Sequence, residues 1–230
     1  MSITREQLSA NFAKVESIIQ AACDKVKRKR EGVTLVAVSK LHPPELIRTA
    51  WELGHRDFGE NYAQELRDKR TALADCRGLI WHAIGPVQTK NAKYITRAAH
   101  VFHALDRFEV AQELSRRREA PSLRCLIEVN VAGENSKAGI APEELGAFIE
   151  SVRVLPLLAI VGLTAMPPLS EDPEASRPHF KHLAALAKQH RLKELSMGTT
   201  SDYAVAVEEG ATLIRVGTAL FGARVTAPGL

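Results

Sequence analysis

The sequence predicts an α/β fold: a single-domain (β/α)8 TIM barrel with one extra helix at its N-terminus. Three observations carry that expectation. Eight short apolar runs alternate with amphipathic stretches along the chain, which is the pattern of a parallel sheet with crossover helices. A length of 230 residues suits a closed eight-stranded barrel of roughly 250. No linker, low-complexity segment or shift in composition marks a boundary, so 1–230 reads as one domain, with 1–31 as a helix packed on the barrel. A doubly wound open sheet is the alternative.

The expected elements follow in order. From Thr4 to about Arg30, Leu8, Phe12, Val15, Ile18, Ile19 and Ala22 recur at helical spacing behind a Thr4 cap. GVTLVAVSK at 32–40 is the first strand. Five of the six residues from Val33 to Val38 are aliphatic, as expected of a strand covered on both faces. His42, Pro43 and Pro44 then end it and open a helix. Further strands are expected within 55–61, 79–86, 101–106, 124–131, 158–166, 194–198 and 212–222. Helices are expected at 44–53, 62–74, 89–98, 107–118, 142–154, 174–190 and 202–209. Only 223–230 follow the last strand, too little for a closing helix, so the N-terminal helix is expected either to cover that gap or to cap the barrel floor.

Composition excludes several classes. The net charge is +4, but its excess sits in KVKRKR at 25–30 and in Arg116, Arg117 and Arg118, the kind of run that usually forms a solvated helix end. Aromatic residues make up 5%, too few for a nucleic-acid face built on base stacking. Cys23, Cys76 and Cys125 are widely spaced and form no CxxC pair, so neither a disulfide framework nor a metal site is expected. The first residues are polar and carry both charge signs, unlike a secretory signal, and no apolar run approaches the ~20 residues of a membrane span. A cytoplasmic protein in a reducing compartment is expected.

The chemistry is expected at the C-terminal ends of the strands, where ligands bind in such barrels. Lys40 ends the first strand and places an amine at that mouth, and desolvation there favours the nucleophilic free base. GTTSD at 198–202 follows the seventh strand and opens a helix, setting the hydroxyls of Thr199, Thr200 and Ser201 beside unpaired N–H groups. In RVGT, Arg215 shares strand parity with Gly217, and Thr218 follows at the strand end. Once the barrel closes, the first and eighth strands are neighbours, so the amine, the arginine and the hydroxyl cup converge. Pyridoxal 5'-phosphate (PLP) carries the matching aldehyde, ring nitrogen and phosphate. Asn61 and His82 are two further candidates for that face. Their bland alternatives are a turn asparagine and a satisfied core histidine.

These motifs resemble the pyridoxal phosphate homeostasis proteins, the YggS/PROSC family, nearly end to end. The resemblance rests on AVSK at Lys40, FGEN at Asn61, WHAIGPVQ at His82, ENSKAG at Lys137, GLTAMPP, LSMG at Met197 and RVGTALFG. It implies a barrel similar to the N-terminal domain of alanine racemase, with PLP as a Schiff base on Lys40. It also implies a phosphate held at Thr200, Gly217 and Thr218, with Ser201 as the substitute donor, Arg215 beside the ring nitrogen, and Met197 among the cofactor contacts. Threonine at position 200 stands where the family usually has serine, and Gln88, Thr89, Lys90 and Asn91 replace its usual QxNK. The implied function is a PLP carrier or buffer in cofactor homeostasis, with no catalytic residue of its own. Its partners would be PLP-dependent apo-enzymes as recipients, and a monomer is expected. An amino-acid racemase is the alternative, and a phosphosugar-type barrel enzyme without PLP is a second.

Overall fold

The computed structural model describes residues 3–133 and 138–222, so the expected readings of Glu134 to Lys137 and of 223–230 lie outside the described residues. Eight parallel strands close into a barrel in sequence order, and the open-sheet alternative is thereby excluded. They are β1 (Thr34–Val38), β2 (Asp57–Glu60), β3 (Ile80–Ala83), β4 (Val101–Leu105), β5 (Leu123–Glu128), β6 (Leu158–Thr164), β7 (Glu194–Ser196) and β8 (Leu213–Val216). Seven fall inside an expected run, and β5 starts one residue before its run at 124–131. Closure is made by β8 on β1, where Val36 lies opposite Arg215 and Ala37 opposite Val216.

Two apolar layers result from the alternation of side chains along each strand. Val36, Val101, Leu126 and Leu213 fill the lower barrel interior, while the outward-facing residues join the larger core under the helices. That ring is formed by α2 (Pro44–Glu52), α3 (Ala63–Ala72), α4 (Ala92–Ala98), α5 (Phe108–Arg117), α6 (Leu145–Arg153), α7 (Arg177–Gln189) and α8 (Tyr203–Glu208), preceded in the chain by α1 (Arg5–Lys25). Among the described residues, no helix is long and apolar enough to cross a membrane. The three cysteines are buried and unbridged.

The N-terminal helix covers the gap in the outer ring. Thr4 caps it as expected, its hydroxyl accepting from Gln7 N–H at 3.2 Å while the Gln7 side chain accepts from Thr4 N–H at 2.9 Å. From there α1 runs across α8 and the C-terminal end of the described chain, and Asn11 donates to the Leu220 carbonyl at 2.7 Å. The basic run that follows is solvated in part: Lys25, Lys27 and Lys29 are exposed, whereas Arg28 and Arg30 are half-buried. The chain turns at Lys27, with φ of 56°, and Arg28 donates to the Val207 and Ala211 carbonyls at 2.6 and 2.9 Å. Lys25 pairs with Glu208 at 2.8 Å, so charge staples the first helix to the last strand's approach.

Several boundaries differ by a few residues, as at α1, which ends at Lys25 and not near Arg30, and the end of the last run differs most. The run at 212–222 was expected to be strand throughout, but β8 stops at Val216, and a short helix α9 (Thr218–Phe221) begins after Gly217 at φ −118° and ψ −77°. The turn sends Leu220 and Phe221 into the core against α1.

Arg28→Met removes two charge-assisted bonds to carbonyls at the seam. It is expected to cost about 2 kcal/mol of unfolding free energy. Urea denaturation checks this, and an unchanged midpoint contradicts the stapling role.

Candidate functional site

A cavity of about 320 Å3 opens at the C-terminal ends of the strands. Lys40, Asn61, Thr200, Arg215, Gly217 and Thr218 all line it, together with Val38, His42, Ile84, Gly85, Pro86, Glu128, Met166 and Thr199. Six of the nine residues expected at the site therefore meet in one place. Ser201 is exposed outside the lining, Met197 is fully buried beside it, and His82 lies deeper in the barrel.

Lys40 lies two residues beyond β1, and the backbone on both sides of it is fastened. Ser39 donates its N–H to the Gly59 carbonyl at 3.0 Å and its hydroxyl to Glu60 Oε1 at 2.6 Å. The Ser39 carbonyl accepts from Lys69 Nζ at 2.7 Å and from His42 N–H at 3.0 Å. Leu41, at a φ of 64° that only a held backbone tolerates in a branched residue, donates its N–H to Glu65 Oε1 at 2.6 Å. Lys69 joins the pieces by bonding Glu60 at 2.8 Å and Glu65 at 2.7 Å. The result is a buried cluster whose outward product is a fixed origin for the Lys40 side chain.

Burial dominates the Glu60 carboxyl and pushes its pKa up to about 7 against the pull of Lys69. Its Oε2 is buried with no hydrogen-bond partner, in keeping with the cost of burying the charged form.

Arg215 is buried, and its guanidinium is held from the barrel side. Nη1 donates to the Ser196 carbonyl at 2.7 Å, to Thr164 Oγ1 at 3.0 Å and to Ser196 Oγ. Nη2 donates to the Ala165 carbonyl at 3.1 Å. Desolvation lowers its pKa to about 10, so it remains a cation at neutral pH. Glu128 lines the same cavity with its pKa raised, first by burial, then by Asp106, and against the pull of Arg215.

His82 belongs to the layer beneath. Its Nε2 lies 3.0 Å from Asp57 Oδ1 and its Nδ1 lies 2.9 Å from His103 Nε2, while His103 Nδ1 lies 2.8 Å from Ser196 Oγ. The donors are consistent in one direction. Arg215 donates to Ser196, Ser196 to His103, His103 to His82, and His82 to Asp57, which assigns both ring tautomers from their partners. The bland alternative, a satisfied core histidine, is therefore the geometry found. The chain ends on the guanidinium that lines the cavity, so His82 meets the site through Arg215.

On the side expected to take a phosphate, the two loops expected to act together are in contact. Gly217 N–H is 3.4 Å from Thr200 Oγ1. Asp202 sits at the N-cap of α8 but makes no cap bond; its carboxylate accepts from Thr199 N–H at 2.7 Å and from Ser176 Oγ at 2.8 Å, shaping the 199–202 loop instead. A Cβ on Gly217 would come within 3.2 Å of the Val38 carbonyl, so the bare backbone there permits the seam to close.

Three lining residues carry weight that was not assigned from sequence. Gly85 lies so near Asn61 that a Cβ would sit 2.3 Å from the Asn61 carbonyl, so only glycine lets these two mouths meet. Glu128 ends an apolar strand, and a carboxylate there was a usable signal of a buried charge. His42 lies two residues from Lys40, and Thr199, already named in the hydroxyl cup, joins the lining beside Thr200.

A carboxyl held above its unfolded value stabilises the fold fully below the unfolded pKa of 4.5 and loses that contribution as pH rises through about 7. Glu60→Gln is accordingly expected to flatten the pH dependence of unfolding free energy between those values. Denaturation at stepped pH checks it, and an unchanged slope would remove Glu60 from the account.

Comparison with known proteins agrees with this fold and places the chain in a family. The family model described as "Alanine racemase, N-terminal domain" matches residues 4–225. A pyridoxal phosphate homeostasis protein of Pseudomonas aeruginosa is 43% identical over 221 residues, covering 94% of this chain and 96% of that one. Its counterpart in Escherichia coli K12 is 38% identical over 226 residues, covering 94% and 97%. Among solved structures, PipY of Synechococcus elongatus with PLP bound superposes at a TM-score of 0.81 with 34% identity, covering 94% of this chain and all of that one. Alanine racemase of Corynebacterium glutamicum, at 15% identity and a TM-score of 0.69, covers 100% of this chain and 64% of that one and shows the shared fold. The chain belongs to the alanine racemase N-terminal-domain family and, within it, to the pyridoxal phosphate homeostasis proteins.

Proposed function

We propose that this protein binds PLP covalently through Lys40 and carries or buffers it in intracellular cofactor homeostasis, with downstream effects on amino-acid and keto-acid balance. The observation that carries this reading is the convergence, in one cavity, of a positioned amine, a buried cation and a hydroxyl-lined pair of loops.

The residues fit the group. Lys40 Nζ is the nucleophile for the aldehyde carbon. Thr200 and Thr218 offer hydroxyls and Gly217 a close backbone, the donors a phosphate takes. Arg215 supplies a fixed positive charge toward the ring side. When bound, PLP supplies an electrophilic carbonyl and an electron-accepting ring, and that ring accepts electrons best when its nitrogen is protonated. Arg215 holds the opposite condition, because a cation beside a pyridine nitrogen disfavours its protonation. This chain's residues thus retain the cofactor while restraining its chemistry. We infer delivery to PLP-dependent apo-enzymes, a monomeric state and a cytoplasmic location as parts of the same reading.

The racemase alternative is kept by a specific observation: Glu128 and His42 also line the cavity and are able to carry protons. Incubation of the PLP-loaded protein with L- and D-alanine in deuterated water separates the two. The carrier reading expects no sustained exchange of the α-proton, and turnover-level exchange defeats it.

Lys40→Ala is expected to abolish the visible absorbance of the bound aldehyde and its capture by borohydride, and a retained band contradicts the assignment. Arg215→Gln is expected to speed the loss of PLP on dialysis, because a neutral side chain replaces the buried cation. Thr200→Ala is expected to weaken binding by about 1 to 2 kcal/mol through one lost charge-assisted hydrogen bond. Equilibrium titration reads both, and unchanged affinity in Thr200→Ala moves that role to another hydroxyl.

A further inference from the structure

At the end of the barrel opposite the mouth, where α3, α4 and α5 finish, lies a cleft of about 520 Å3 that the proposed function does not use. Arg70, Lys93, Arg97, His100 and Arg118 line it, with Glu119 as the carboxylate among its lining residues. Arg117, at the same rim, is taken by Glu113. None of Arg70, Lys93, Arg97 and Arg118 pairs with a carboxylate among the described residues, so four cations face one acid in a chain whose whole net charge is +4.

Two of these cations are built in place. Arg70 Nη1 donates to the Arg97 and Ala98 carbonyls at 2.7 and 2.8 Å, at the end of α4. From the other side, Arg118 Nη1 donates to the Thr96 and Ala99 carbonyls at 2.6 and 3.1 Å, and its Nε to the Pro121 carbonyl at 2.8 Å. Capping of a helix C-terminus accounts for those bonds. It leaves Nη2 of both guanidiniums uncommitted and holds each planar fork still, so little side-chain entropy is lost when a further acceptor arrives.

His100 adds a neutral donor. Its Nδ1 accepts from Trp81 N–H at 2.8 Å, which puts the ring proton on Nε2. Burial, then the charges of Arg70, His82 and Arg118, hold its pKa down to about 4. Lys93 and Arg97 are exposed at the entrance, and their side chains make no hydrogen bond or ion pair among the described residues.

We propose that this cleft is a second ligand site, for a small multivalent anion bearing phosphate groups. Rigid guanidinium forks suit phosphate oxygens, and four cations exceed what one phosphate would neutralise. No phenylalanine, tyrosine or tryptophan lines the cleft, which lacks the stacking platform a single-stranded nucleic acid would use.

The test is an amide chemical-shift titration of 15N-labelled protein with inorganic pyrophosphate, PLP being present so that the mouth is occupied. Saturable shifts are expected at Thr96, Arg97, His100 and Arg118, tighter for pyrophosphate than for inorganic phosphate. Lys93→Glu/Arg97→Glu, which alters only exposed side chains, is expected to weaken binding at least about tenfold. The proposal is overturned by shifts that stay linear, that survive the charge reversal, or that fall only on Thr200 and Gly217. Tighter binding of a short oligonucleotide than of pyrophosphate would also overturn it. Because the mouth and the cleft report through different residues, failure of PLP to load leaves this result readable.

Discussion

The pairing of β8 with β1 is the interaction on which the rest of the molecule depends. Those strands lie at opposite ends of the sequence, and their register sets Val36 beside Arg215 and brings Val38, at the end of β1, against Gly217. Without that closure, the amine and the phosphate-side loops would occupy opposite edges of an open sheet. Much of the surrounding structure maintains it. The first helix lies over the seam, Asn11 and Arg28 bond carbonyls beyond it, and bare backbone at Gly217 allows close approach to Val38.

Two buried polar systems then give the cavity its shape from below. One ends on the backbone beside Lys40 and contains Glu60, Lys69 and Glu65. The other ends on Arg215 and passes through Ser196, His103 and His82 to Asp57. Buried polar groups are costly unless satisfied, and satisfied networks fix side chains in single positions. Both systems spend that cost on direction, holding an amine and a guanidinium on the same cavity. A site arranged in this way suits the proposed retention of a charged aldehyde cofactor through oriented contacts and one bond to Lys40.

The barrel was legible because parallel strands buried on both faces must be apolar, and their runs cannot be confused with the amphipathic helices between them. The Lys40, Thr200, Arg215, Gly217 and Thr218 set was legible for a related reason: polar residues at the end of an apolar strand have few places to go. Depth within the barrel was not. His82 sits on the same interior face as the cavity, but its assignment needs His103, which lies on a neighbouring strand 21 residues on. Glu60 and Lys69 meet only when α3 folds over β1 and β2, so neither reads as a partner of Lys40 from the chain. Ser201 follows Thr200 with the same hydroxyl chemistry, and only the path of the 199–202 loop separates one that lines the cavity from one that faces solvent. The basic run at 25–30 has the composition of a solvated end, and the backbone carbonyls that hold Arg28 within it are partners that sequence does not display.

The most direct measurement is peptide mass mapping after the PLP-loaded protein is reduced with borohydride and digested. The account predicts one stoichiometric adduct, on the peptide containing Lys40. An adduct on Lys69 or on a surface lysine, with Lys40 recovered unmodified, would contradict it.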